Sequence, residues 1–252
     1  MAITLFGSAS TPTDNNSSAD DHTIVTPPGS MAIGDLVFMT AVSITDSVTP
    51  VISEAGGQTW TSLTVRNQTS NSARSFWCVF NGTWSADPSV VFGATTGNTA
   101  RMLVFRPSGG VSSLWEVDVA ESSGLYAAPG SPYAVTITGI TTKHDGALVI
   151  AGWTSSDNNT WGSLTAGWTA LSPTQVRNLA GSDSSMTHAW MIDAVAGATG
   201  NVSQTQTAYE PDAGTYIIMS FHEIAQAVRA NYLHARRDRM NTKGVSKQNS
   251  LA

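Results

Sequence analysis

The chain runs one order of sequence features twice, and this internal repeat constrains its fold more than any other property. The first copy covers Gly34–Arg106 and the second begins at Gly146. Each copy opens on an apolar run, passes a Trp-Thr pair, continues through an alternating aromatic run and closes on a second apolar run. Such a repeat exceeds the roughly 20–50 residues of a solenoid unit, so it predicts a duplicated half of a larger β structure. The tryptophans that recur at equivalent places are Trp60 with Trp168 and Trp77 with Trp190.

The residue pattern within each copy predicts strands. Leu36–Ile44 is a long apolar run, which is typical of a central strand covered on both faces. Ser75–Phe80 distributes its apolar residues between two faces with the strand period of two. Turn-forming residues separate such runs at the spacing of a sandwich, and charged residues make up only 12% of the chain. The sequence therefore predicts an all-β fold.

Each half carries apolar residues on more than one face and needs a partner to cover them. The other half is the nearest such partner. We therefore predict a single jelly-roll-like β-sandwich built from two duplicated halves related by a pseudo-twofold axis. The predicted boundaries are residues 1–222 for the sandwich, with half one at about 1–107 and half two at about 111–222, and residues 223–252 for a basic C-terminal α-helix and loose tail.

Helical periodicity is confined to the C-terminal segment. Ala225, Val228 and Tyr232 recur at intervals of three or four residues from Glu223 onwards, which predicts an α-helix there. Gly244 is expected to end this helix.

The charge of the chain is divided between body and tail. Residues 1–225 carry 6 Lys and Arg against 17 Asp and Glu, a net charge of −11. Residues 226–252 carry 6 Lys and Arg against 1 acidic residue, a net charge of +5. Such asymmetry is typical of a tail that has its own partner.

Cysteine usage and hydropathy favour a protein that is made in a cytoplasm and is soluble there. Cys78 is the one cysteine in the sequence, so an intrachain disulfide is excluded, and its place in an apolar run predicts a buried, inert thiol. The N-terminus lacks the basic start and long apolar run of a signal peptide. No stretch approaches about 18 apolar residues, so we expect no membrane partner.

Short motifs in both copies carry a family resemblance. They are Pro27-Pro28-Gly29, Gly34-Asp35-Leu36-Val37, Thr59-Trp60-Thr61, Phe76-Trp77-Cys78-Val79-Phe80, Asp145-Gly146-Ala147-Leu148-Val149 and Gly167-Trp168-Thr169. Over residues 1–222 the series resembles a jelly-roll family of concanavalin-like β-sandwiches that is common in bacteriophage virion proteins and prophage tail or surface proteins. The resemblance implies a β-sandwich without assigned chemistry. The chain departs from the family in the basic segment after Phe221, and a sandwich with one docking helix looks like a small accessory virion protein.

Catalytic and cofactor-binding patterns do not emerge from the sequence. The five histidines are scattered and have no metal-ligand spacing, and neither a nucleophile elbow nor a phosphate-binding loop occurs. Asp35 and Asp145 precede strands, where turn capping explains them better than acid–base chemistry. We therefore predict no enzyme activity, no cofactor and no metal.

A candidate glycan site consists of Asp157, Asn158, Asn159 and Trp161. An indole beside amide and carboxylate groups can stack on a sugar ring while those groups bond its hydroxyls. Two alternatives stay open: a calcium site formed by the Asp and Asn oxygens, and an ordinary turn packed by its own side chain. This hypothesis assigns the four recurring tryptophans to the core and places Trp161 in a surface loop.

The basic tail is the predicted attachment element. Six basic charges beside an acidic body argue against a nucleic-acid partner. We expect the helix to dock through apolar and basic side chains on an acidic protein surface, and packing against its own sandwich is the alternative. The predicted assembly residues are Val228, Arg229, Tyr232, Leu233, Arg236, Arg237 and Arg239.

Two functions follow as hypotheses. The first is a non-enzymatic bacteriophage virion structural protein, either decorating the head or accessory to the tail. It would contact other capsid or tail proteins and form a homo-oligomer. The second is a lectin-like module of a phage adhesion apparatus that binds a surface glycan or receptor.

Overall fold

The computed structural model describes residues 3–10, 22–93, 97–109, 113–127, 132–179, 183–207 and 212–225. Within these ranges the chain forms seventeen β-strands and no helix. The all-β prediction is therefore confirmed for the described part of the chain. The same part contains no helix long and apolar enough to cross a membrane.

The first half of the chain forms two antiparallel sheets. Its strands are β1 (Thr4–Ser10), β2 (His22–Ile24), β3 (Leu36–Ser43), β4 (Val51–Glu54), β5 (Thr61–Ser62), β6 (Arg66–Gln68), β7 (Asn71–Val79), β8 (Ser89–Val91) and β9 (Thr99–Arg106). The large sheet has the order β1-β9-β3-β7-β5, and β6 also pairs with β7. The small sheet has the order β2-β8-β4.

The second half forms two more sheets. Its strands are β10 (Ser113–Tyr126), β11 (Tyr133–Ile137), β12 (Ala147–Ser155), β13 (Thr160–Gly162), β14 (Thr169–Asn178), β15 (Ser184–Asp193), β16 (Val202–Thr207) and β17 (Gly214–Ala225). The large sheet has the order β10-β17-β12-β15-β14, and the small sheet has the order β11-β16-β13.

The strand order of the second half repeats that of the first. Strands β1, β9, β3 and β7 correspond to β10, β17, β12 and β15, and the two small sheets correspond in the same way. The register agrees as well, because Thr61 lies opposite Trp77 and Thr169 lies opposite Trp190. Trp77 and Trp190 therefore occupy equivalent positions, as the sequence predicts.

The central strands of both large sheets are buried on both faces. Every residue of β3 and every residue of β12 is buried. In β3, Val37 and Met39 contribute to one apolar cluster and Leu36 and Phe38 to another. Because successive side chains point to opposite faces of a strand, a strand with buried apolar residues at successive positions must be covered on each side.

Three large apolar clusters fill the spaces between the four sheets, and a small fourth cluster of Val42, Ala73, Val176 and Met186 also joins the two halves. The first-half core lies between the sheets of half one and includes Val25, Val37, Met39, Phe76, Val90 and Met102. The second-half core lies between the sheets of half two and includes Val135, Ile137, Val149, Trp153, Trp161 and Val202. The central interface joins the two large sheets and includes Leu36, Phe38, Phe105, Leu148, Ile150 and Phe221. The sheets therefore stack as small, large, large, small.

This stacking refines the single sandwich that the sequence predicts. Each half supplies a two-sheet sandwich of its own, and the two sandwiches pack through their large sheets. The physical reason is that each large sheet is apolar on both faces, so covering one face with the other half leaves the second face to the small sheet.

Reciprocal aromatic contacts join the halves across the central interface. Phe105 lies opposite Leu36 and Phe221 lies opposite Leu148, so the two phenylalanines are equivalent. Trp77 meets Phe221 edge-on with 5.3 Å between ring centroids, and Trp190 meets Phe105 edge-on at 5.7 Å. A contact made once in each direction is what a twofold relation between the halves produces.

The sequence places the start of the C-terminal helix too early, at residue 223. Glu223, Ile224 and Ala225 belong to β17, where they pair with Trp115, Leu114 and Ser113 of β10. Ladder hydrogen bonds to a neighbouring strand outweigh the modest helix propensity of three residues. The sandwich therefore extends at least to Ala225, and the rest of the predicted helix lies outside the described residues.

Candidate functional site

Three side chains with metal-binding chemistry converge at one edge of the second large sheet. Asp118 lies in β10, His222 in the neighbouring strand β17, and His144 in the turn that precedes β12. One ligand atom from each residue lies within 4.8 Å of those of the other two. Within the described ranges this is the one such group of three His, Cys, Asp or Glu side chains. We call these residues the Asp–His–His cluster.

A β-bulge sets the position of Asp118. Val117 pairs with Phe221 and Val119 pairs with Ser220, so Asp118 is an extra residue between two regular pairs. A bulge redirects the side chain that it carries, and it often lies next to a functional site. Here Asp118 is 3% exposed, although the preceding Val117 is 39% exposed.

Four hydrogen-bond contacts hold the Asp118 carboxylate. The Ser220 hydroxyl donates to Oδ2 at 2.8 Å, and the Lys143 backbone N–H lies 3.2 Å from Oδ1 and 3.1 Å from Oδ2. His144 Nδ1 lies 2.7 Å from Oδ1. Burial by itself raises the pKa of Asp118, but the hydrogen bonds from His144, Lys143 and Ser220 outweigh it and leave the pKa below its usual value.

The two histidines of the cluster stack on each other. Their ring centroids are 3.8 Å apart and their planes differ by 12°. The side chain of His144 is 52% exposed, whereas Nδ1 of His222 is buried and has no hydrogen-bond partner among the described residues. Burial lowers the pKa of His222, and the neighbouring His144 lowers it further, while Glu116 and Asp118 partly offset this. A neutral imidazole with an available nitrogen lone pair is favoured at this position.

The turn that carries His144 is fixed on both sides of that residue. Asp145 Oδ1 accepts a hydrogen bond from the Ala196 backbone N–H at 2.8 Å. Gly146 has φ of 73° and donates its N–H to the Asp193 carbonyl oxygen at 2.8 Å. The Asp145 side chain therefore ties this turn to the loop at Ala196, which differs from the capping of its own turn that the sequence predicts.

The equivalent place in the first half carries different chemistry. Arg106 follows Phe105 as His222 follows Phe221, and it pairs with the buried Asp35 through Nε at 3.0 Å and Nη2 at 2.9 Å. Arg106 also lies over the Phe6 ring, 3.9 Å from the centroid. Asp35 also accepts a hydrogen bond from the Ala32 N–H, which is the turn capping that the sequence predicts. The ion pair with Arg106 is not predicted from the sequence. Half one thus has a forked ion pair where half two has the stacked histidines.

The candidate glycan site is not available as predicted. Trp161 is only 4% exposed, packs in the second-half core and donates its indole N–H to Ser185 Oγ at 3.1 Å. Asn159 is fully buried and donates to Ser155 Oγ, and Asp157 accepts from the Asn158 backbone N–H. The prediction that Trp161 offers its ring to a sugar is therefore wrong, because β13 directs that ring inward.

The prediction that the recurring tryptophans form the core and that Trp161 lies in a surface loop is wrong as well. Trp153, Trp161 and Trp115 are buried, although none of them recurs between the halves. The recurring Trp77 and Trp190 are only partly buried beside the central interface. Recurrence therefore identifies equivalent positions in the two halves, but it does not measure burial.

Other predicted residues have simpler outcomes. Cys78 is 1% exposed, so the prediction of a buried thiol is confirmed, and burial raises its pKa well above the usual value, which favours the less reactive protonated form. The assembly residues Val228, Arg229, Tyr232, Leu233, Arg236, Arg237 and Arg239 lie outside the described residues.

A buried histidine in the middle of the molecule provides a pH test of the packing. His188 is fully buried, and its Nε2 lies 2.9 Å from Thr40 Oγ1 of the other half. Burial, with a further contribution from Arg101, lowers the pKa of His188 to about 3. Its folded-state pKa is thus below the ordinary value, so the stability it contributes is complete above pH about 6.5 and is lost as the pH falls toward 3.

We expect His188→Gln to flatten the acid sensitivity of folding. Uptake of one proton on unfolding costs the wild-type chain at most about 1.4 kcal/mol per pH unit in this window. Urea unfolding at several pH values between 7 and 4 measures the slope, with the exposed His22→Gln as the matched control. Equal slopes for His188→Gln and wild type would show that His188 is not held neutral by the fold.

The Asp–His–His cluster offers one carboxylate and two imidazoles at a partly exposed edge, and its members come from two strands and one turn. The sequence matches no protein-family model, and a search of curated proteins finds no match. The chemistry of the site must therefore be inferred from its own residues.

Proposed function

We propose that the chain is a non-enzymatic structural protein of a bacteriophage particle, acting as head decoration or as a tail accessory. The observation that carries the proposal is the contrast between body and tail. The body covers both faces of each large sheet and has a net charge of −11, whereas residues 226–252 have a net charge of +5. A self-covered body with an oppositely charged tail suits a protein that attaches to an assembly through the tail.

The family resemblance is the reason for proposing a phage particle as the assembly to which the chain attaches. The motifs of residues 1–222 resemble those of jelly-roll proteins from phage virions, and the matching strand orders of the two halves are consistent with a duplicated sandwich. We infer that the duplication built a double sandwich, and that the finer prediction of a C-terminal helix applies to residues after Ala225.

Three buried reactive groups outside the Asp–His–His cluster have structural roles, which supports a non-enzymatic function. The Cys78 thiol packs in the first-half core, and the Asp35 carboxylate is held by Arg106. His188 bridges the two halves through Thr40. Each of these groups is placed to stabilise the body.

Removing the tail tests attachment separately from folding. Because the described pairing of β17 with β10 reaches Ala225, a chain cut after that residue keeps this ladder and should fold, and it should no longer bind particles that lack the native protein. Reversing Arg236, Arg237 and Arg239 to Glu should weaken binding, and added salt should weaken wild-type binding, since exposed charge contacts are screened. Tyr232→Ala should weaken binding even at high salt, because burial of its ring is apolar.

Co-sedimentation with such particles is the measurement, and Lys143→Glu on the body is the matched charge control. Binding of the truncated chain at wild-type strength would show that the tail is not the anchor. Aggregation of the truncated chain would show instead that the tail packs on its own sandwich.

A further inference from the structure

We propose that Asp118, His144 and His222 form a Zn²⁺ site, with one carboxylate oxygen, one nitrogen from each imidazole and a water molecule as the fourth ligand. The proposal is independent of the particle assignment, since it concerns only the body of the protein. It rests on where the fold places three residues that are far apart in the sequence.

The donor set selects the metal. Two imidazole nitrogens and one carboxylate oxygen suit Zn²⁺ and related transition metals, whereas Mg²⁺ and Ca²⁺ prefer oxygen ligands throughout. Three protein ligands with an open position are a common zinc arrangement. The 52% exposure of the His144 side chain gives the fourth position access to solvent.

The charge around the cluster favours a divalent cation. Asp118 is buried and negative, and Glu116 lies directly opposite His222 in the β10–β17 ladder. Directly opposed residues in an antiparallel pair project to the same face, so the Glu116 carboxylate adds negative charge beside His222. Two carboxylates with two neutral imidazoles are balanced by one Zn²⁺.

The geometry requires the His144 ring to leave its stack on His222, because the in-plane lone pairs of two parallel rings cannot converge on one ion. The ligand atoms lie within 4.8 Å of one another, whereas tetrahedral Zn²⁺ with bonds of about 2.0 Å places them ~3.3 Å apart. His144 is exposed in a turn and can make this movement, while Ser220 and the Lys143 N–H keep the Asp118 carboxylate oriented. Hydrogen bonds of this kind are the outer-shell support that metal ligands ordinarily have.

The site already contains groups that a metal would satisfy. Nδ1 of His222 is buried without a hydrogen-bond partner among the described residues. Asp118 occupies a bulge, which interrupts the ladder and turns the carboxylate toward the two histidines. Bound Zn²⁺ would tie the turn before β12 to strands β10 and β17.

Metal titration of the full, untagged chain tests this proposal. The protein is stripped with EDTA, exchanged into chelator-free buffer and titrated with ZnSO₄ by calorimetry, and thermal unfolding is recorded with and without Zn²⁺. We expect one Zn²⁺ per chain and a Tm that rises with Zn²⁺ concentration, because a ligand that binds only the folded state stabilises it. MgCl₂ and CaCl₂ should give neither effect.

The variants distinguish the cluster from other histidines. His144→Ala and His222→Ala should each weaken Zn²⁺ binding by more than the roughly 10–100-fold that loss of an outer-shell partner costs. The controls His22→Ala and His234→Ala should bind as wild type does. Circular dichroism verifies folding of each variant, and the exposed His144 makes unfolding of its variant unexpected.

A second probe covers the case in which His222→Ala fails to fold. Co²⁺ in place of Zn²⁺ should give the visible absorption of a four-coordinate site in wild type, and His144→Ala should abolish it. Absence of Zn²⁺ binding by wild type would overturn the proposal, as would wild-type affinity in His144→Ala.

Discussion

Replacing Trp161 by alanine is expected to lower the free energy of unfolding by about 3–5 kcal/mol. The side chain is 4% exposed and packs in the second-half core beside Val135 and Val202. Removal of a buried indole loses its transfer free energy and leaves a cavity, and it also leaves Ser185 Oγ without the indole N–H. Urea unfolding monitored by circular dichroism measures the change.

Two variants separate the contributions at this position. Trp161→Phe keeps most of the apolar ring but removes the N–H donor, so it should cost less than Trp161→Ala. Leu125→Ala removes an apolar side chain that is 46% exposed and should change stability by no more than about 0.5 kcal/mol. A Trp161→Ala variant as stable as Leu125→Ala would place the indole on the surface and would restore the glycan hypothesis.

Replacing Phe221 or Phe105 by alanine is expected to destabilise the chain by about 3–5 kcal/mol in either case. Both rings are fully buried in the central interface, where each meets a tryptophan of the other half edge-on. The two effects should be similar in size because the positions are equivalent. Because each ring touches both halves, we expect a single cooperative unfolding transition that shifts as a whole.

The control for this pair is Val195→Ala, which removes a side chain that is 71% exposed in the loop after β15. The claim that the central interface couples the two halves would be contradicted if calorimetry showed two separate unfolding transitions, with Phe221→Ala shifting one and Phe105→Ala the other. That result would mean that the halves fold independently and that their contact contributes little.

The sequence predicts the central strands and their equivalence because these depend on strong, regular patterns. Leu36–Ser43 and Ala147–Ser155 are mostly apolar runs, and both are buried along their whole length. The small sheets are harder to predict because their strands are short. His22–Ile24 and Ser89–Val91 have three residues each, too few for the period of two to stand out. The sequence therefore predicts one two-layer sandwich, whereas the structure has four sheets.

Trp161 shows how polar neighbours can mislead a sequence interpretation. Asp157, Asn158 and Asn159 are typical turn residues, so the indole that follows them looks like a loop residue. In the structure Thr160–Gly162 is a strand of the small sheet, and Asn159 is itself buried. Its side-chain hydrogen bond to Ser155 Oγ offsets part of the cost of burying an amide.

The Asp–His–His cluster could not be found from spacing. Asp118, His144 and His222 come from different elements, and metal-binding motifs depend on ligands that are close in sequence. The bulge at Asp118 depends on the pairing of β10 with β17, which a single sequence does not reveal. Only the pairing of distant strands brings these residues together.

Quantitative peptide mass spectrometry of gradient-purified particles tests the structural role most directly. The particles are those of the phage or prophage that the proposed function implies, and the reference is a major capsid or tail protein in the same particles. We expect peptides from this chain at a constant ratio to that reference in independent preparations. Absence of the chain from the particles, with its peptides remaining in the soluble lysate, would contradict the proposed function.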